Sequence, residues 1–126
     1  MQVASVYAPS RPSERTAFFK ELKNKNMLTA SSFAGGDWNT VEDVTLHVSS
    51  NNPLGYDNTG IQALHDLTTP LGLLDVHRDQ LETKRQHTRT GNTTAGYTST
   101  RIDRWLIPIN TTLLPTAEIT NTFVYK

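Results

Sequence analysis

At 126 residues with 36% hydrophobic content, the chain has room for one domain with a moderate core and long loops. Its 12 basic and 12 acidic residues cancel, which excludes a global basic field, so any nucleic-acid contact must come from a local patch. The lack of cysteine excludes disulfides, thiolate nucleophiles and cysteine-bound zinc, and the lack of a signal-like start or a membrane-length apolar run points to an intracellular protein with no membrane partner.

Residues 2–7 are rich in β-formers and read as a strand closed by Pro9 and Pro12. Ser13 then offers an N-cap for a helix over 13–24, with Phe18, Phe19 and Leu22 as its apolar stripe and Lys20, Lys23 and Lys25 crowding its C-terminal end. A strand over 31–34 follows, so the opening is β-α-β and predicts parallel pairing under helical cover. Residues 41–56 read as a polar loop with one helical turn, and 59–69 as a second helix through Ile61, Leu64 and Leu67. The apolar run 71–76 reads as a further strand. Residues 79–95 are polar and aperiodic, which predicts a long loop. Strands are expected over 97–99, 101–109 and 117–125, the middle one buried on both faces where Trp105, Leu106 and Ile107 run together.

Chemistry-bearing residues gather at the strand ends. Gly35 and Gly36 deliver Asp37 and Asn39 with one residue between them. On an extended chain these two leave on the same side while Trp38 turns the other way. A carboxylate there can hold Mg²⁺ or take a proton from water, and the carboxamide can donate to a phosphate oxygen. The plain alternative is a polar turn, since Gly, Asp and Asn favour turns. Ahead of the apolar strand, alternation puts Arg101, Asp103 and Trp105 on one face and Ile102, Arg104 and Leu106 on the other. A carboxylate in that setting calls for a partner, and Arg101 or Arg104 would supply a structural ion pair. A third polar strand end spans Asp75 to Asp79. Basic residues recur from Arg78 to Arg89, diluted by Asp79 and Glu82, and the four histidines (His47, His65, His77, His87) follow no metal-ligand spacing.

In order and spacing, four segments resemble the endonuclease/exonuclease/phosphatase family, which includes apurinic endonucleases, DNase I-like nucleases, inositol-phosphate phosphatases and the endonuclease domains of non-LTR retrotransposons. They are Val6-Tyr7-Ala8-Pro9, Gly35-Gly36-Asp37-Trp38-Asn39, Gly72-Leu73-Leu74-Asp75 with Arg78, and Arg101-Ile102-Asp103-Arg104. The resemblance implies an α/β fold, part of a four-layer α/β sandwich in which two β-sheets are flanked by helices, with residues 1–126 forming a partial domain. It implies metal-dependent phosphodiester hydrolysis with Mg²⁺ or Mn²⁺, held at Asp37 and Asn39, and DNA as the partner, with a nuclear setting if the chain derives from a retrotransposon. In that scheme Tyr7 touches the scissile phosphate and Asp37 activates or orients the attacking water. Asn39 holds water and phosphate, Asp103 orients a histidine, Arg101 and Arg78 bind substrate, and Asp75 has a structural or positioning role. Trp38 stands where the family often has Phe or Leu and is expected to be packing. The family's metal-binding Glu and its terminal Ser-Asp-His have no counterpart in this sequence, so the chain alone is expected to be nearly inactive. The alternatives are a phosphatase of the same family, acting on a phosphorylated small molecule or lipid headgroup, and a non-catalytic remnant.

Overall fold

The first strand, β1 (Gln2–Tyr7), leads through a short Pro-containing turn into helix α1 (Pro12–Asn24) in the computed structural model, which describes residues 2–42, 44, 48–49, 56–75, 89–93, 96–100 and 102–109. The helix starts two residues earlier than a Ser13 cap would allow. Pro12 occupies the first turn, where its missing N–H is no loss, and Arg11 stands at the N-cap without a side-chain cap bond. The exit is a Schellman turn: Asn26 takes φ 50°, its N–H reaches the Lys23 carbonyl at 3.1 Å, and the Met27 N–H reaches Leu22 at 3.0 Å. Asn fills the left-handed position that glycine usually takes.

The second strand, β2 (Ser32–Asp37), runs parallel to β1 from Gln2↔Ser32 to Tyr7↔Asp37. It is longer than the 31–34 expected from sequence, because Gly35 and Gly36 stay within the strand. Gly36 has φ 142°, and a Cβ there would lie 2.0 Å from the Val6 carbonyl oxygen, so only glycine lets the two backbones approach.

Of the polar stretch 41–56, β3 (Val48–Ser49) is extended and paired. Helix α2 (Ile61–Thr68) lies within the expected 59–69, entered through Gly60 at φ 100°. Strand β4 (Leu73–Asp75) is the core of the apolar run 71–76.

The stretch 79–95 is not all loop. Its end forms β5 (Arg89–Thr93), paired antiparallel with β6 (Gly96–Thr100) from Arg89↔Thr100 to Thr93↔Gly96. Gly91 and Asn92 hid the strand, which is stabilised by its cross-strand partner rather than by local propensity. The last described strand is β7 (Asp103–Pro108), inside the expected 101–109. The strand expected over 117–125 lies outside the described residues.

Two sheets result. One has four strands in the order β1-β2-β7-β4, with only the β1–β2 pair parallel; the other has three in the order β3-β6-β5. The protein is therefore mixed α/β, with helices flanking the four-stranded sheet. Phe19 of α1 and Ala63, Leu64 and Leu67 of α2 pack with Val6, Ala34, Leu73 and Leu106 on one face of that sheet, around the fully buried Trp38. Burial of the Val, Leu and Phe side chains among these is worth about 1.5–3 kcal/mol each. A smaller cluster joins Val41 and Ile102 to Val44 and Tyr56. Trp105 corrects the expectation of a strand buried on both faces: it is 50% exposed, and its ring lies across Gly35, where a Cβ would come within 2.5 Å of it. Among the described residues no helix is long and apolar enough to cross a membrane.

Two polar side chains tie loops to this frame. Arg15, buried on α1, donates to the carbonyls of Pro9 (3.2 Å), Ser10 (2.8 Å), Asp57 (2.8 Å) and Thr59 (3.5 Å). Asn58 grips both backbone groups of Val41, accepting from its N–H and donating to its carbonyl, each at 2.9 Å. Together they carry the chain from β1 into α1, and from the end of β2 into α2, at fixed spacing.

Candidate active site at the strand ends

Register alone assembles the site. Tyr7 ends β1 opposite Asp37, the last residue of β2, and Asp37 lies opposite Asp103, the first residue of β7. Laterally paired residues project to one face, with Cα atoms about 4.5–5.5 Å apart across an antiparallel pair. Tyr7, Asp37 and Asp103 thus form one row on the sheet face opposite the helices. Tyr7 and Asp103 are exposed and Asp37 is half-buried. Trp105 stands two residues along β7 on that same face.

The ends of this row are tied by backbone bonds. The Ala8 N–H donates to the Asp37 carbonyl at 2.8 Å, and the Trp38 N–H donates to the Ile102 carbonyl at 2.9 Å. Both neighbouring strands are therefore held to β2 one step past the row. The Asp37 carboxylate accepts the Asn39 N–H at 2.9 Å, which directs one carboxylate oxygen back over its own turn.

Asn39 does not follow the alternation expected of it. The strand stops at Asp37, Asn39 turns left-handed at φ 47°, and the residue is only 4% exposed. Its amide donates to the Ala8 carbonyl at 2.7 Å, fastening the exit of β1. It therefore closes the frame behind the row rather than standing beside Asp37. Trp38 does turn the other way, into the core. It stacks on Phe19 at 6.4 Å, and its indole N–H donates to the Arg104 carbonyl at 3.0 Å.

Arg104 corrects one suggested partner for Asp103. Its guanidinium turns to the buried face and pairs with Glu42 at 3.1 Å, and it donates to the Thr40 carbonyl at 2.6 Å. The other oxygen of Glu42 meets His65 Nε2 at 2.6 Å, which gives one of the four histidines a defined place. Glu42 carried no motif in the sequence, and its role depends on partners distant along the chain. Asp75 is buried at the end of β4, opposite Leu106 and so three positions along β7 from Asp103. Arg101, Arg78, His47, His77 and His87 lie outside the described residues.

As a cation site the row supplies hard oxygen donors, two carboxylates and a phenol, which suit Mg²⁺ or Mn²⁺ chemically. The set is short, however. Among the described residues no group of three or more His, Cys, Asp or Glu comes together, and the amide nitrogen of Asn39 is committed to Ala8. Asp37 fits an ion as one ligand among several; Asn39 would ligate through its carboxamide oxygen, which the bond of its nitrogen to Ala8 leaves uncommitted. No protein-family model matches the chain, and no curated protein matches it.

Proposed function

We propose that the chain is part of a metal-dependent phosphodiesterase of the endonuclease/exonuclease/phosphatase type, its two sheets belonging to a four-layer sandwich, and that it acts on DNA as an endonuclease. The observation that carries this reading is the single row made by Tyr7, Asp37 and Asp103 at the ends of three adjacent strands. Sites in open α/β sheets gather at such ends. Three of the four motif segments, well separated along the chain, supply residues to this one place.

In this reading the Tyr7 hydroxyl donates to a non-bridging phosphate oxygen. Asp37 accepts a proton from the attacking water or fixes its lone pair in line with the phosphorus. Asp103, directly opposite, is assigned the orienting of a catalytic histidine, which this sequence does not itself supply. Asn39 holds the β1 exit, and hence Tyr7, at a fixed distance from Asp37 through Ala8. A bound Mg²⁺ or Mn²⁺, with Asp37 among its ligands, would neutralise phosphate charge as it develops. Arg101 and Arg78 are the proposed phosphate contacts. With one carboxylate assigned to the ion, turnover by this chain alone is expected to be slow.

The test is cleavage of supercoiled plasmid and of an abasic duplex in Mg²⁺, with chelator controls and Asp37→Ala. Slow nicking that needs the metal and disappears in the variant, and that rises when the chain is extended at both ends, supports the proposal. Hydrolysis of inositol phosphates without nicking would assign the phosphatase alternative. Inactivity of both chains on every substrate would assign the remnant.

A further inference from the structure

The side chain of Arg104 is fully buried, and a guanidinium taken out of water costs several kcal/mol unless it is well partnered. Its partners are specific. Glu42 lies at 3.1 Å, the Thr40 carbonyl at 2.6 Å, the Thr40 hydroxyl at 3.3 Å, and the Trp38 ring centroid 5.9 Å away. Trp38 returns a bond to the Arg104 carbonyl. Glu42 is gripped on its other side by His65, whose side chain is 40% exposed.

What matters is where these partners lie in the chain. Trp38 and Thr40 flank Asn39 directly after Asp37, and Arg104 directly follows Asp103. In register Arg104 sits opposite Gly36, one step before the Asp37–Asp103 pair. A rigid planar fork thus joins the turn behind one acid of the row to the strand behind the other, from beneath the sheet. Ordinary core packing would be served by an aliphatic side chain at this position, as in the neighbouring Leu106.

We propose that Arg104, held by Glu42 and steadied by His65 at the rim, is the positioning residue of the strand-end row, fixing Asp37 relative to Asp103 for phosphodiester hydrolysis. This rests on the hydrolytic reading above. The fork acts through Trp38 and Thr40 and touches no substrate. Errors of an ångström in such placement are enough to lower rates on the order of a hundredfold.

The experiment compares Arg104→Lys, Glu42→Gln and the rim variant His65→Gln with the wild-type chain, by amide hydrogen exchange and by steady-state nicking in Mg²⁺. Lysine keeps the charge and loses the fork; His65→Gln leaves the buried partners in place and so keeps a folded variant in the series. Exchange at Trp38 and Asn39 should quicken at least tenfold in Arg104→Lys while the Phe19 and Leu64 amides keep their protection. In parallel kcat should fall at least tenfold with KM nearly unchanged, and His65→Gln should show the same pattern more weakly. Uniform quickening at all four amides would mean that Arg104 merely stabilises the fold, and would overturn the proposal. Unchanged exchange at Asn39 would overturn it too. Local loosening in a chain whose wild type hydrolyses nothing even when extended at both ends would overturn the hydrolytic reading, and with it the catalytic assignment of the fork, while leaving the tether itself measured.

Discussion

Gly36→Ala and Gly35→Ala add the same methyl group to adjacent positions of β2, and the structure separates their consequences. At Gly36 the new Cβ would stand 2.0 Å from the Val6 carbonyl oxygen and 2.9 Å from its carbon, at φ 142°. Backbone strain of this kind is worth about 1–3 kcal/mol. Relief of the overlap means prising β1 from β2, which adds about 1–3 kcal/mol. Together these make about 2–6 kcal/mol, a large share of the roughly 5–15 kcal/mol that holds a domain folded. At Gly35 the three atoms nearest the methyl all belong to the Trp105 ring, at 2.5–2.7 Å, and that ring is half-exposed and able to swing outward. The expected penalty is about 1 kcal/mol, the low end of overpacking. Urea unfolding followed by circular dichroism gives both values by linear extrapolation. The emission of Trp105 should shift in Gly35→Ala while the buried Trp38 does not. Penalties for the two variants within about 0.5 kcal/mol of each other, the scatter of neutral substitutions, would refute the close β1–β2 approach.

Trp38→Ala should destabilise by about 3–5 kcal/mol, as for other buried aromatics, whereas Trp38→Phe should lose about 1–3 kcal/mol by stranding the Arg104 carbonyl; a Trp38→Phe melt indistinguishable from that of wild type would mean that the indole bond contributes nothing. Asn58→Ala removes both bonds to Val41 and should lower stability by about 1–3 kcal/mol, with protection lost at the Val41 amide ahead of the rest of the chain in hydrogen exchange. Asp57, bonded by the Thr59 hydroxyl and amide, and Glu21, bonded by Lys25, are held below their ordinary values of 3.8 and 4.5. The unfolded chain therefore binds these protons at higher pH than the folded one, so their contribution is complete above 4.5 and is lost as pH falls through and below 3.8. Melts across that range should show a shallower acid slope for Asp57→Ala with Lys25→Gln than for wild type.

The elements that were legible in the sequence carry their own signal. β1, α1 and α2 have local periodicity and clear breakers, and they lie within a residue or two of expectation. The elements that were missed depend on partners. β5 and β3 have weak strand composition and are extended because β6 pairs with both. The extra residues of β2 were missed for a related reason: Gly-Gly reads locally as a turn, and only the presence of β1 on one side and β7 on the other keeps it extended. Alternation along β7 was legible, since Asp103 and Trp105 face out and Arg104 and Leu106 face in. The partner of Arg104 was not, because Glu42 is brought to it by the fold.

Asn39 shows where a sequence rule stops applying. Alternation places residues i and i+2 on one side only while the chain stays extended, and β2 ends at Asp37. Two residues later the backbone is left-handed, a conformation that Asn tolerates better than most side chains, and the carboxamide swings inward to Ala8. The same two residues thus divide the work that their spacing seemed to assign jointly. Asp37 stays on the outer face with Tyr7 and Asp103. Asn39 holds β1 to β2, so that Tyr7 cannot drift from Asp37. Substitution separates the two functions: glycine at position 39 keeps the left-handed turn and loses only the bond to Ala8, alanine loses both, and Asp37→Ala keeps the bond to Ala8 while losing the carboxylate and its bond from the Asn39 N–H. A chemical role for the row predicts that activity follows Asp37, while stability follows Asn39.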